Sequence, residues 1–213
     1  MEFTGVVPGY LHWFTMKKTL LAAAALCALT SGAALAQSES PWMVRVRAVH
    51  LDSANKDSTG LGLAINNKTL PEFDIAYFFS PNVAAELVLT VPQKHDMNSS
   101  VAGTLGTLKH LPPTLLAQYH FTRFQGFKPY VGAGVNYTRF SSVKLLGGAA
   151  DVKRSSWGGA LQVGVDIPLN KHWSLNVDVK KLYIATDVSV GGVQAGQFKV
   201  DPVLVGVGLG YRF

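Results

Sequence analysis

His172 and Ser174 stand one residue apart, a base and a hydroxyl that could together make an oxygen nucleophile for acyl transfer. Local alternation turns both toward one face. They follow the short turn at 168–171, however, and neither a well-placed carboxylate nor a G-x-S-x-G elbow accompanies them. They read as a polar strand start, and no enzyme is expected. His95, Asp96 and His110 share one polar stretch and could meet at a metal, but their spacing fits no helical ligand pair, so they read as solvated loop residues. Gly132 and Gly134, and the series Gly206, Gly208 and Gly210, lie inside strand-like runs and open no helix, which excludes a nucleotide cradle. The single cysteine, Cys27, lies in an apolar leader, and Leu26 stands where a lipoprotein signal needs Gly or Ala. A chain without that leader has no disulfide, thiolate nucleophile or Cys-based metal site. No cofactor is expected.

The leader itself is a secretory signal: Met16, Lys17 and Lys18 open a positive region, residues 20–29 are apolar, and Ala34-Leu35-Ala36 supplies the small-x-small cleavage pattern. Cleavage is expected before Gln37, giving residues 16–36 as signal peptide and 37–213 as one domain. Residues 1–15 read as the product of an upstream start or a remnant of expression. Of the formal charge of +6, +5 remains after Lys17, Lys18 and Glu2 are removed. It is spread over turns, interior and loops, which argues against a nucleic-acid patch. Lys144, Lys153 and Arg154 suit the phosphates of lipopolysaccharide instead.

With 48% hydrophobic residues and 15% charged, the chain is too apolar for disorder, yet no segment after the leader approaches the roughly 18 apolar residues of a membrane-spanning helix. Any crossing must use strands, and the hydrophobic period is indeed two. Val203, Val205, Val207, Leu209, Tyr211 and Phe213 alternate with Leu204, three glycines and Arg212. Eight such segments are expected, at 42–51, 71–79, 83–91, 114–121, 129–139, 156–167, 172–183 and 200–213. The connections at 80–82, 122–128 and 168–171 are short, and those at 52–70, 92–113, 140–155 and 184–199 are long. This asymmetry is that of an eight-stranded antiparallel transmembrane β-barrel with short periplasmic turns and long extracellular loops.

Alternation alone would also suit a soluble lipocalin-like barrel with apolar residues turned inward. Three features favour the membrane. The other face is rich in glycine, which suits a crowded lumen. Aromatics gather at strand ends, with Trp42, Phe79, Phe121, Trp173, Tyr211 and Phe213 at the turn side and Phe73, Tyr137, Trp157 and Tyr183 at the loop side. The chain also ends on Phe213 in an alternating strand, which resembles the signature that outer-membrane barrels present to their assembly machinery.

An eight-stranded lumen holds little beyond its own side chains. Strand direction places Arg45, Arg47, Glu86, Gln118, His120, Asp166, Asn176, Asp178 and Arg212 in its turn-side and middle parts, a mixture suited to a structural polar plug or, less simply, an ion relay. Val49, Leu51, Val88, Leu116, Leu182 and Leu204 lie inward on the loop side and form an apolar funnel open to the outside, with Glu72, Asp74 and Lys180 near the same level. Pro92 ends the third strand, and Pro112 and Pro113 begin the fourth. Proline cannot donate to a ladder, so a weakened seam is expected there, through which a hydrophobic solute could leave sideways into the bilayer.

Four runs carry a family resemblance: His110-Leu111-Pro112-Pro113-Thr114-Leu115, residues 129–138 (PYVGAGVNYT), Ser156-Trp157-Gly158, and the strand from Val200-Asp201-Pro202 to Phe213. Together they resemble the OmpW family of small outer-membrane proteins. The resemblance implies a monomeric eight-stranded barrel with a narrow hydrophobic channel that takes up small hydrophobic molecules and discharges them laterally. Arg45 and Arg47 in the first strand depart from the pattern, and the stretch 52–69 cannot be matched residue by residue. The alternative is a structural or surface-interaction barrel whose loops bind phage, host factors or bacteriocins.

Overall fold

The structure, a computed structural model, describes residues 40–213; the expected signal peptide, its cleavage site and residues 1–15 lie outside them. The first strand, β1 (Trp42–Asp52), leads through the short β2 (Lys56–Asp57) and β3 (Leu63–Ile65) into β4 (Lys68–Phe78). Next come β5 (Val83–Thr90), the hairpin of β6 (Gln93–Ser99) and β7 (Gly103–Leu111), and β8 (Thr114–His120). The long β9 (Lys128–Leu145) and short β10 (Ala150–Val152) precede β11 (Ser155–Pro168) and β12 (Trp173–Leu182). The hairpin of β13 (Ala185–Val190) and β14 (Val193–Lys199) leads to the last strand, β15 (Val203–Arg212).

Eight of these strands pair antiparallel in a closed ring, β1, β4, β5, β8, β9, β11, β12, β15 and back to β1. They are the eight segments expected from the alternation. Three bounds differ most: β9 runs on to Leu145 because it also pairs with β7, β4 starts at Lys68 because its ladder with β1 reaches back to Leu51 opposite Lys68, and the last strand starts at Val203 because Pro202 and Asp201, with its positive φ of 34°, form the bend before it. Stretches expected only as long loops hold strands of their own. Among the described residues, β6–β7, β3, β10 and β13–β14 carry the wall outward beyond the barrel.

Sidedness separates the two barrels that alternation allows. Val207 and Leu161 on the outer face are each 51% exposed, whereas Arg45 and Arg47 inside are 1% and 2% exposed. Apolar out and charged in is the arrangement of a barrel whose solvent is lipid. The aromatics expected at the turn side touch in edge-to-face pairs, Trp173 to Tyr211 at 5.0 Å and Tyr211 to Phe213 at 5.2 Å, and Tyr77 joins Trp42 to Phe79. Tyr137 and Trp157 meet at 4.8 Å on the loop side.

Inner-face glycines let strands and side chains crowd together. A Cβ built on Gly208 would lie 2.0 Å from the Val46 carbonyl oxygen and 2.7 Å from Arg47 Cα, and one on Gly134 would lie 1.9 Å from the Leu115 carbonyl oxygen.

Candidate functional site

The lumen has two layers. In the middle of the barrel, Arg45 donates to Asp166 at 2.8 and 3.2 Å, to Asp74 at 3.1 Å and to Glu86 at 3.3 Å. Two residues on, at the next inward position of β1, Arg47 reaches Glu86 at 2.6 Å, Asp178 at 2.8 Å, Glu72 at 3.1 Å and also Asp74. Lys180 Nζ closes the set on Glu72 at 2.7 Å and on Asp178 at 2.8 Å. Glu72, Asp74 and Lys180, expected near the funnel, are therefore parts of the charged layer. Gln118 and Gln162 donate to Glu86, and Gln162 also to Asp178. Asn176 donates to Asp166 and to the Tyr130 hydroxyl, and His120 stacks on Tyr130.

Of the residues expected in this layer, Arg212 lies nearest the turn side. It is half-buried, with its guanidinium 4.3 Å above the Phe78 ring near the turn-side rim. Tyr130 and Gln162 belong to the network although the sequence reading does not single them out. Both follow inward-facing parity, which was the available signal. Such a set holds its charges because each is paired; water-filled passage along the axis would have to break several charge-assisted bonds at once.

Above it lies the apolar layer. Val49, Leu51, Val88, Leu116, Leu182 and Leu204 are all buried inside and belong to one cluster. That cluster continues without a break into inward residues of the outer strands, among them Met97, Leu108, Phe140, Val152, Val188 and Phe198. The apolar layer thus extends beyond the barrel rim, formed there by loop strands whose apolar positions are too sparse to announce themselves in the sequence.

The wall is interrupted where the prolines fall. The β5–β8 ladder ends at Val88 opposite Thr114, and the β6–β7 ladder starts at Gln93 opposite His110. Between them, among the described residues, no ladder pair joins 89–92 to 111–113. Each lip keeps its other neighbour: Thr90 pairs with Glu72 of β4, and Leu111 with Arg139 of β9. Asn136, fully buried, supports the second lip by donating to the carbonyls of Pro112 and Pro113 at 3.3 Å and to Thr114 Oγ1 at 2.9 Å. Thr138 in turn donates to Asn136 at 2.7 Å. Pro71, by contrast, stands opposite Ala48 in a β1–β4 ladder that continues on both sides of it.

The other sequence candidates resolve plainly. His172 is exposed, not turned inward with Ser174; its Nδ1 donates to the Arg212 carbonyl at 2.9 Å and its ring stacks on Tyr211, because it precedes β12 and lies in the turn. Ser174 is buried, and its hydroxyl has no partner. His95 and His110 are not solvated. They face inward from β6 and β7, buried and stacked, because the stretch forms a hairpin with an inner face. No group of three or more His, Cys, Asp or Glu among the described residues is arranged to hold a metal. Lys153 and Arg154 pair with Asp187 and Asp151, while Lys144 shares a surface cleft of about 290 Å³ with Lys94 and Lys109.

A closed eight-stranded barrel with lipid-facing apolar residues, a charged middle and a proline-broken wall narrows the kinship, and a family model decides it: the OmpW family matches residues 43–213. The chain belongs to the OmpW family. Outer membrane protein W of Escherichia coli is 34% identical over 93% of this chain and 100% of its own length. A Pseudomonas aeruginosa relative, the dibenzothiophene metabolism operon protein PahQ, is 28% identical over 82% of this chain and 90% of its own. Among solved structures, the outer-membrane protein OprG of Pseudomonas aeruginosa superposes with a TM-score of 0.70 at 27% identity, covering 83% of this chain and 97% of that one. This OmpW-family barrel is an outer-membrane protein.

Proposed function

We propose that this barrel passively admits small hydrophobic molecules, which enter the apolar layer from the extracellular side and leave sideways through the interruption between β5 and β8. The observation that carries the reading is the stacking of layers: an apolar interior, lined by Leu116, Leu182 and their neighbours, rests on a charged network and adjoins a wall gap bounded by Val88, Pro92, Pro112 and Pro113. An apolar solute gains by burial in the first, would have to displace paired charges to enter the second, and can reach lipid through the third. The name of PahQ ties that relative to an operon for dibenzothiophene, a small hydrophobic aromatic, and so favours the same substrate class here.

The reading also takes the molecule as a monomer that Phe213 presents to the assembly machinery, with Lys94, Lys109 and Lys144 facing lipopolysaccharide phosphates. The test is the rate at which matched cells, with and without the protein in their outer membrane, take up an alkane or a monoaromatic. Faster uptake that is lost on Leu116→Asp or Leu182→Lys, with assembly intact, supports the channel. Equal uptake across several solutes sinks it and moves attention to a surface-interaction role for the structured extracellular strands.

A further inference from the structure

The β6–β7 hairpin, at the upper edge of the wall gap, carries two imidazoles on its inner face. The His95 and His110 rings lie parallel, 7° apart in plane and 4.5 Å between centroids, with 0% and 1% of each residue exposed. Met97 and Leu108, two positions along the same strand faces, belong to the apolar cluster, and Phe140 of that cluster meets His110 edge-on at 6.4 Å. His95 Nδ1 lies 3.0 Å from the Asn66 carbonyl oxygen. A carbonyl has no proton to give, so Nδ1 holds the proton and Nε2 presents a bare lone pair. That Nε2 has no partner, and neither ring nitrogen of His110 has one.

Seven buried side-chain atoms among the described residues lack a partner, and four of them flank this gap: those three nitrogens and Thr90 Oγ1 on the opposite lip. Buried polar atoms are nearly always paired, so such a concentration needs an explanation. Burial also keeps the pair uncharged: it pulls His110 down to about 3, with His95 and Lys68 adding to the effect, and it lowers His95. What the rings present is therefore one lone pair on His95 and both a lone pair and an N–H on His110.

We propose that His95 and His110 form a recognition point for a hydroxyl group on an otherwise hydrophobic molecule, so that the passage favours alcohols and phenols over plain hydrocarbons. The proposal rests on the uptake reading above and specifies its substrate. A hydroxyl donates to His95 Nε2 and accepts from the N–H of His110 at the same time. A carboxylate cannot donate, and would bring charge among apolar side chains. A hydrocarbon leaves every one of these atoms unpaired. The position is apt, because His110 stands opposite Gln93 at the upper end of the gap and Thr90 belongs to the lip across it.

The test compares octane and 1-octanol in cells with and without the protein, for the wild type, the double variant His95→Leu with His110→Leu, and His110→Gln. Leucine suits the apolar surroundings, and retained heat-modifiable mobility on gels verifies folding. The expected result is an octanol-to-octane uptake ratio that falls roughly five-fold in the double variant, the loss of about one net hydrogen bond, and stays closer to wild type in His110→Gln, whose amide both donates and accepts. In nitrogen-15 spectra of the labelled protein, the ring resonances of His95 and His110 should shift with 1-octanol and not with octane. If the wild type takes up both solutes, yet the ratio and the ring resonances do not move, this proposal is wrong and the uptake reading stands. If the wild type speeds neither solute, both fall.

Discussion

Arg47 touches four carboxylates, those of Glu72, Asp74, Glu86 and Asp178, so Arg47→Met would leave four buried acids short of one cation. Losing one partner of a buried charge set typically costs roughly 3–5 kcal/mol, and urea unfolding in lipid bilayers should show a loss of that order, well beyond the effect of a lipid-facing change such as Val207→Ala. His110 gives a second test. It is neutral in the fold, held down to about 3 by burial, while an unfolded histidine titrates near 6.5. Stability of the hairpin is therefore complete above about pH 6.5 and declines as the pH falls toward 3, by up to about 1.4 kcal/mol per unit for one such histidine. Lys68 acts in the same direction on both rings, and Asp96 acts against it on His95. Amide protection, taken relative to the intrinsic exchange rate at each pH, should fall between pH 7 and pH 4.5 more in β6 and β7 than in β12, and His110→Leu should remove most of the difference. The sequence hinted at this pair only weakly. His95 and Met97 alternate with Lys94 and Asp96, but a run with one methionine among lysine, aspartate and asparagine carries too little apolar signal to mark an inner face.

At the scale of strands, the prolines act by the amide hydrogens they lack. Pro112→Ala with Pro113→Ala returns two donors to the second lip, opposite 89–92, and uptake of a hydrophobic solute should slow several-fold while assembly is retained; unchanged uptake would place the exit elsewhere. Gly208→Val is expected to act on assembly itself, because its side chain would enter the Val46 carbonyl and the Arg47 backbone. Folded, heat-modifiable protein should drop sharply, while Gly159→Ala on the outer face of β11, where an added Cβ meets only the Tyr183 ring at an ordinary 3.6 Å, should cost far less. All eight barrel strands were legible because each runs through lipid with strict alternation, and Pro92, Pro112 and Pro113 were legible because proline carries its meaning alone. The outer strands were not. The β6–β7 and β13–β14 hairpins contain register shifts near Met97 and Val188, which break the period that a reader of sequence relies on.

For the molecule as a whole, the lipid-facing band and the girdles require only hydrophobicity and alternation, which is why fold and location are legible in the sequence alone. The lumen's depth is not, since it depends on loops closing over one another. The sequence implies polar side chains in the lumen but not their wiring, in which Arg45 is bonded to Asp166 across 121 residues and Arg47 to Asp178 across 131. Those separations bear on how the barrel is made. The arginines sit on β1 and their far partners on β11 and β12, which reach them only when β15 lies down beside β1. Until that last ladder zips, each arginine can find only the acids of nearby β4 and β5, and the rest of the network has to stay hydrated. Closure of the ring and drying of its centre are thus one event, set late in assembly by the long stretch of chain that separates the groups it joins.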